Sequence, residues 1–207
     1  VRYAERMTAQ WRNSETRDIN ADMMTLTLEI VAKTLFDTEV AAQAAAIGRA
    51  LDVVMEHHNK QDHSIIQRLL PSSVPTPINV RFRRAVQQLD QIIYGIIRER
   101  RAGSKDTGDL LSMLLQAQDE DGSRMSDQQV RDEALTLILA GHETTALTLA
   151  WTWYLLAQYP QVAQKLREEI RTVLDGRAPT VADMPRLTYT TQIIKEAMRL
   201  YPPAWGI

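Results

Sequence analysis

Apolar side chains recur at intervals of three and four along nearly the whole chain, the spacing that gathers them on one face of an α-helix. From Val1 to about Asn13 the pattern is carried by Ala4, Met7 and Trp11. A second helix, capped by Asp18 or Asn20, places Met23, Leu26, Ile30 and Leu35 along one side, with Phe36 near its end. After a break at 37–39, an alanine-rich stretch leads to Leu51, Val54 and Met55, then to Ile65, Ile66, Leu69 and Leu70, as one long helix or two shorter ones. Three prolines between Pro71 and Pro77 mark a loop. Phe82, Val86, Leu89, Ile93 and Ile97 then predict a strongly amphipathic helix. Arg98, Arg100 and Arg101 suit the negative end of its dipole, and Gly103 suits its termination. A short helix falls within 109–118, and Asp119-Glu120-Asp121-Gly122 reads as a turn. No stretch alternates as a half-buried strand would, and no internal repeat is present. The pattern predicts a mainly α chain.

The best-marked helix start is Ser126 with Gln129, a capping box, flanked by Met125 and Val130 as a hydrophobic staple. Periodicity then continues to Pro160. A helix over about 127–158 would be some 48 Å long at about 1.5 Å per residue. Its second half is apolar nearly all round, which predicts a path through the centre of its domain. Pro160 sits where a following helix favours proline. Val162, Leu166, Ile170 and Val173 form the inner stripe of that helix, and Gly176 closes it. Thr180 with Asp183 suggests another cap, and a last helix covers about 189–201, stopped by Pro202 and Pro203. One segment breaks the rule. Ala140-Gly141-His142-Glu143-Thr144-Thr145 places a glycine, a histidine, a carboxylate and two hydroxyls in the middle of the longest apolar run. Glycine there costs about 1 kcal/mol relative to alanine, and a buried carboxylate requires a partner.

Composition narrows the chemistry. The chain has 207 residues, enough for one large domain or two small ones, and a single domain over 1–207 is the expectation. A net charge of -2 gives no electrostatic case for binding nucleic acid. Cysteine is absent, so disulfides and thiolate metal sites are excluded within these residues. The chain opens on Val1 with no signal-peptide pattern, and Pro202-Pro203-Ala204-Trp205-Gly206-Ile207 reads as the start of an extended segment. An internal fragment is therefore expected. The run from Ala134 to Ala157 is long enough to span a bilayer. His142 and Glu143 fall near its middle, however, and a central acidic residue carries about 2.5–3.5 kcal/mol of insertion penalty. A buried helix, with no transmembrane segment, is the expectation.

No metal site is expected. His57, His58 and His63 are one, five and six apart, not three or four, so they read as a solvated face. The Asp119–Gly122 turn lacks the later glutamate of a calcium loop, and His142-Glu143 is followed at the fifth position by Ala146 where a zinc hydrolase needs histidine. What remains is local. Gly141 allows a flat ligand close to the backbone. Thr144 lies four residues after Ala140, so its hydroxyl can bond that carbonyl and loosen the helix. With Glu143 alongside, the segment reads as a groove that holds water and relays protons, or else as a buried helix with satisfied polar groups. Glu196 and Arg199, three apart, form a same-face pair. It contributes little if exposed and needs further partners if buried.

Ala140-Gly141-His142-Glu143-Thr144-Thr145 resembles the oxygen-binding helix motif of the haem-thiolate monooxygenases, the cytochrome P450 family. Lys195-Glu196-Ala197-Met198-Arg199 with Leu200-Tyr201-Pro202-Pro203 resembles the E-x-x-R helix of that family and the turn after it. Both motifs stand in the family's order, about fifty positions apart, with the Pro160-led helix between. The resemblance implies the central helical part of the cytochrome P450 fold, without its N-terminal β-region and its C-terminal haem-ligand region. It implies that Thr144 helps deliver a proton to dioxygen, with Glu143 feeding the proton network. Ala140, Gly141 and Thr145 would lie against heme b, and Ala204 would border the substrate pocket. Glu196 and Arg199 would be structural, and the helices around Pro71–Pro77 would form a lid. The axial cysteine would lie beyond Ile207. The implied parent is a soluble, cytoplasmic, bacterial-type monooxygenase. It would hydroxylate a small hydrophobic substrate with dioxygen, using electrons from NAD(P)H through a reductase or ferredoxin-type donor. The competing expectation is a non-enzymatic all-α ligand-binding or scaffold domain.

Overall fold

The computed structural model describes residues 1–37, 41–63, 74–103 and 108–204, with the backbone alone for 41–45 and 58–63. The expected break at 38–39, the helical positions Ile65, Ile66, Leu69 and Leu70, the start of the proline loop and residues 205–207 lie outside this set, as do the side chains of His58 and His63. Among the described residues the elements are α1 (Arg2–Thr8), α2 (Ile19–Phe36), α3 (Ala41–His63), α4 (Pro77–Ala102), α5 (Leu110–Gln116), α6 (Asp127–Gln158), α7 (Pro160–Leu174), a 3-10 helix (Val181–Arg186) and α8 (Thr188–Leu200). No strand occurs among them. One isolated antiparallel bridge, Gln118 with Arg124, closes the acidic turn, where Gly122 takes a left-handed φ of 81°.

The chain divides into two compact units: 1–27 with 140–207, and 28–139. In the second, α3 and α4 make the most extensive helix–helix contact among the described residues. Phe36, Ile47, Ile93, Ile97, Leu111 and Ile138 lie at the centre of its core, each almost wholly removed from water. Arg100 ties three elements of this unit together. Its guanidinium donates to the Phe36 carbonyl at 2.7 Å and to Ser112 Oγ at 3.2 Å, and forms an ion pair with Asp109 at 2.7 Å. Asp109 in turn caps α5, accepting from the Ser112 amide at 2.8 Å. Arg100 is thus a half-buried cross-link, a role its place in a terminal arginine cluster does not disclose.

Two further positions differ from the periodic reading. His57 is buried, not solvated: its ring stacks on Phe82 at 4.1 Å between centroids, and Nε2 lies 3.0 Å from Asn79 Oδ1. The Asn79 amide nitrogen donates to the Val74 carbonyl, which leaves Oδ1 as the acceptor and makes His57 Nε2 the donor. Ile30, placed on the inner side of α2 by its spacing, is exposed, and Leu28 and Ala32 face the core in its stead.

In the other unit, Met23, Leu26 and Ala146 are buried together, with Met7, Trp11, Leu149 and Ala150 packed against them. Asp18 caps α2 through the Ala21 amide at 3.1 Å. Its neighbour Arg17 holds Asp22 with two hydrogen bonds, which keep the Asp22 carboxyl below its usual range. α1 ends at Thr8, short of the expected Asn13. α7 ends with Asp175 and Gly176 both left-handed, at φ 47° and 77°, and Ile170 of its inner stripe is exposed. Thr180 and Asp183 form the expected capping box, opening the 3-10 helix. Arg177 also donates to both Asp183 oxygens, and with Thr180 it pushes that carboxyl strongly down.

α6 starts as its signals require. The Gln129 side chain accepts from the Ser126 amide at 2.9 Å, and Ser126 Oγ accepts from the Gln129 amide at 3.3 Å. Its second half is not enclosed all round: Trp153 and Tyr154 are exposed, whereas Ala146, Thr152 and Leu156 are buried. No helix among the described residues is long and apolar enough to cross a membrane.

Candidate functional site

The segment Ala140–Thr145 forms one regular stretch of α6, with its two sides in different surroundings. His142 and Ala146 are buried, whereas Ala140 and Thr145 are exposed and Gly141, Glu143 and Thr144 half-buried. The accessible side is therefore built from the smallest side chains of the segment. Thr144 Oγ1 donates to the Ala140 carbonyl at 2.5 Å. That bond competes with the helix's own hydrogen bond to the same carbonyl. It leaves the hydroxyl oxygen free to accept from a donor on the open side.

The pattern continues along the helix. Thr148 Oγ1 donates to the Thr144 carbonyl at 2.8 Å, and Thr152 Oγ1 donates to the Thr148 carbonyl at 2.7 Å. Three successive turns carry the same sharing of a carbonyl between a hydroxyl and an amide. Thr148 and Thr152 carry no motif of their own, and the four-residue spacing from Thr144 is the one local signal that marks them.

The second motif lies on α8. Arg199 Nε and a terminal guanidinium nitrogen each donate to Glu196 at 2.7 Å, a two-pronged pair. Both side chains are more than half exposed in this structure, at 55% for Glu196 and 66% for Arg199, so the buried alternative does not describe them here. The Arg199 hydrogen bonds hold the Glu196 carboxyl below its usual range. Ala204, beyond the two prolines, is exposed.

Both motifs belong to the same unit, and aromatic contacts connect their helices. Trp151 of α6 stacks on Tyr201, the residue that ends α8, at 4.1 Å between centroids and 5° between planes. Tyr154 meets the same two rings edge-on. Such pairs contribute about 0.5–1.5 kcal/mol beyond their burial. The other end of α8 is held by Glu169 of α7. Its carboxylate accepts from the Tyr189 amide at 2.6 Å, the Thr190 amide at 2.8 Å and Thr190 Oγ1 at 2.7 Å, with Thr188 Oγ1 at 3.3 Å. Burial opposes charge on this group, but the bonds from Thr190, Tyr189 and Thr188 outweigh it and keep the carboxyl below its usual range. No local signal marks Glu169, since its partners lie about twenty positions away. Among the described residues, no group of three or more histidine, aspartate or glutamate side chains is arranged to hold a metal ion.

Comparison with known proteins agrees with this arrangement. The family model for cytochrome P450 matches residues 2–207. The chain is 41% identical to cyclooctatin synthase of Streptomyces melanosporofaciens, across 99% of this chain and 45% of that protein. It is 40% identical to cyclooctat-9-en-7-ol 5-monooxygenase of the same organism, across 94% of this chain and 42% of that protein. The heme domain of cytochrome P450DA superposes with a TM-score of 0.81 at 29% identity, covering 96% of this chain and 44% of that one. The chain thus spans less than half the length of the curated relatives it matches. With two motifs in order, a mainly helical fold and a match over essentially its whole length, the chain belongs to the cytochrome P450 family.

Proposed function

We propose that this chain is the helical part of a longer haem-dependent monooxygenase, and that Ala140–Thr145 would form a wall of its dioxygen site. The observation that carries the reading is the open, small-residue side of α6 with the Thr144 hydroxyl bonded to the Ala140 carbonyl. The residues fit a haem on that side: Ala140 is exposed and Gly141 has no side chain, so a flat ring can lie against the helix. These 207 residues contain no cysteine, so a thiolate ligand would have to come from outside them. When bound, the haem supplies the chemistry that activates dioxygen and oxidises the substrate.

The protein's own contribution is positional and protonic. Ala140, Gly141 and Thr145 would bound the cofactor. Thr144 offers a fixed hydroxyl that accepts from one neighbour while donating to the Ala140 carbonyl, and it can pass a proton when that bond is exchanged. Glu143 is the carboxyl that replenishes it, and Ala204 borders the substrate. Glu196 and Arg199 hold α8 in a structural role. Electrons come from NAD(P)H through a reductase or ferredoxin-type donor. The Streptomyces relatives, one named for oxidation of cyclooctat-9-en-7-ol, favour a small hydrophobic substrate and a cytoplasmic parent of bacterial type. We take residues 1–207 as part of a single domain in that parent.

Thr144→Ala in the parent-length protein tests the reading. It removes the hydroxyl without filling space, so dioxygen consumption continues while product per dioxygen falls and peroxide rises. Unchanged coupling would show that the proton is delivered elsewhere.

A further inference from the structure

Thr148 acts on the peptide that carries Thr144. In a regular helix the Thr144 carbonyl accepts a single hydrogen bond, from the amide of residue 148. Here the hydroxyl of that same residue also donates to it, at 2.8 Å. A carbonyl shared in this way tilts toward the hydroxyl and lengthens the amide bond, which bends the helix locally. Thr148 is 9% exposed, so water does not compete for the bond. A β-branched residue in a helix has few rotamers, and threonine selects between two according to the carbonyl its hydroxyl reaches. The hydroxyl therefore fixes the Thr148 side chain as well as the tilt of the Thr144 peptide. Valine would fill the same space and keep a single rotamer, but would not draw on the Thr144 carbonyl.

We propose that Thr148 is a positioning residue for Thr144, setting the orientation of the peptide from which the Thr144 hydroxyl projects. The inference rests on the proposed role of Thr144 in proton delivery. Thr152 provides a matched comparison. It is 8% exposed and makes the same kind of bond at 2.7 Å, but to the Thr148 carbonyl. Each four-residue step drifts about 40° around the helix axis. Thr148 thus stands beside Thr144, and Thr152 about 80° round from it and a further turn along the helix.

The experiment uses the parent-length, haem-loaded protein with Thr148→Val, Thr148→Ser and Thr152→Val. In Thr148→Val the carbonyl of residue 144 returns to the amide alone, and hydrogen exchange at the amide of residue 148 slows about three- to tenfold. Peroxide formed per dioxygen consumed rises about threefold or more, with KM for substrate unchanged and kcat for product lowered. Thr148→Ser restores both readings, and Thr152→Val leaves coupling at the wild-type value. The proposal is overturned if Thr148→Val couples like wild type, whether or not exchange changes. It is equally overturned if Thr152→Val uncouples as strongly, because general loosening of the helix would then suffice. If Thr144→Ala itself leaves coupling unchanged, the proposed role of Thr144 fails; slowed exchange at residue 148 would still establish the local constraint.

Discussion

Replacing Glu169 by glutamine should detach the start of α8 from α7. The helix begins after Leu187, which supplies no side-chain cap. Its first amides would be unsatisfied without an external acceptor. Glu169 provides that acceptor from another helix, and its charge also suits the positive end of the α8 dipole. In Glu169→Gln one oxygen remains to accept from Tyr189 and Thr188, while an amide NH2 faces the donors of Thr190. The bond from the Thr190 amide is lost and two N–H donors confront each other there, while the Thr190 hydroxyl must turn to accept. The site is half-buried, so water offsets part of the loss, and a cost of about 1–2 kcal/mol follows. Urea unfolding of the parent-length protein at pH 7 reads this as a lower midpoint, and hydrogen exchange localises it to residues 189 and 190. The pH dependence has a definite sign. The folded-state carboxyl titrates below its usual value of 4.5. Its stabilisation is therefore complete above pH 4.5 and is lost as pH falls through the lower folded value. The gap between wild type and Glu169→Gln should narrow in that acid window. An unchanged midpoint at pH 7, or a gap that widens in acid, would refute the reasoning.

Two further substitutions test the frame around the site. Ser126→Ala removes the first cap of α6 and should lower stability by about 1 kcal/mol, with faster exchange at the amide of Gln129; identical exchange would contradict the cap seen here. Arg100→Ala withdraws the guanidinium from the Phe36 carbonyl, Ser112 and Asp109 together. Because Asp109 is buried and Arg100 only half-buried, the loss should fall at the lower end of the range of about 3–5 kcal/mol for a broken buried ion pair, and thermal unfolding showing a loss of only a few tenths would contradict the cross-link.

What could be read from the sequence was whatever rests on near neighbours. The limits of α6 follow from Ser126 with Gln129 at one end and Pro160 just beyond the other, and these signals act within one turn. The Thr144 bond to Ala140 and the Glu196–Arg199 pair were likewise visible, because helix geometry alone brings residues three and four apart together. Burial was less legible, since it depends on what arrives from elsewhere in the chain. Ile30 and Ile170 carry the right period yet remain exposed, and His57 is drawn inside by Phe82 and Asn79, more than twenty positions away. Arg100 reads as one of several terminal cations until Phe36 and Asp109 are placed beside it. Glu169 is one more acid on a polar helix face until α8 brings two amides to it. The exposed state of Glu196 and Arg199 was undecided for the same reason: their local sequence fits either surroundings.

We propose, as the central claim, that Ala140–Thr145 would lie against a haem whose thiolate ligand comes from outside these residues. The most direct measurement is the absorption spectrum of the parent-length protein, reduced and under carbon monoxide. The account predicts the Soret band of thiolate-ligated haem. A protein that takes up haem but gives the band of a histidine-ligated or unligated iron, or that takes up no haem at all, would contradict it.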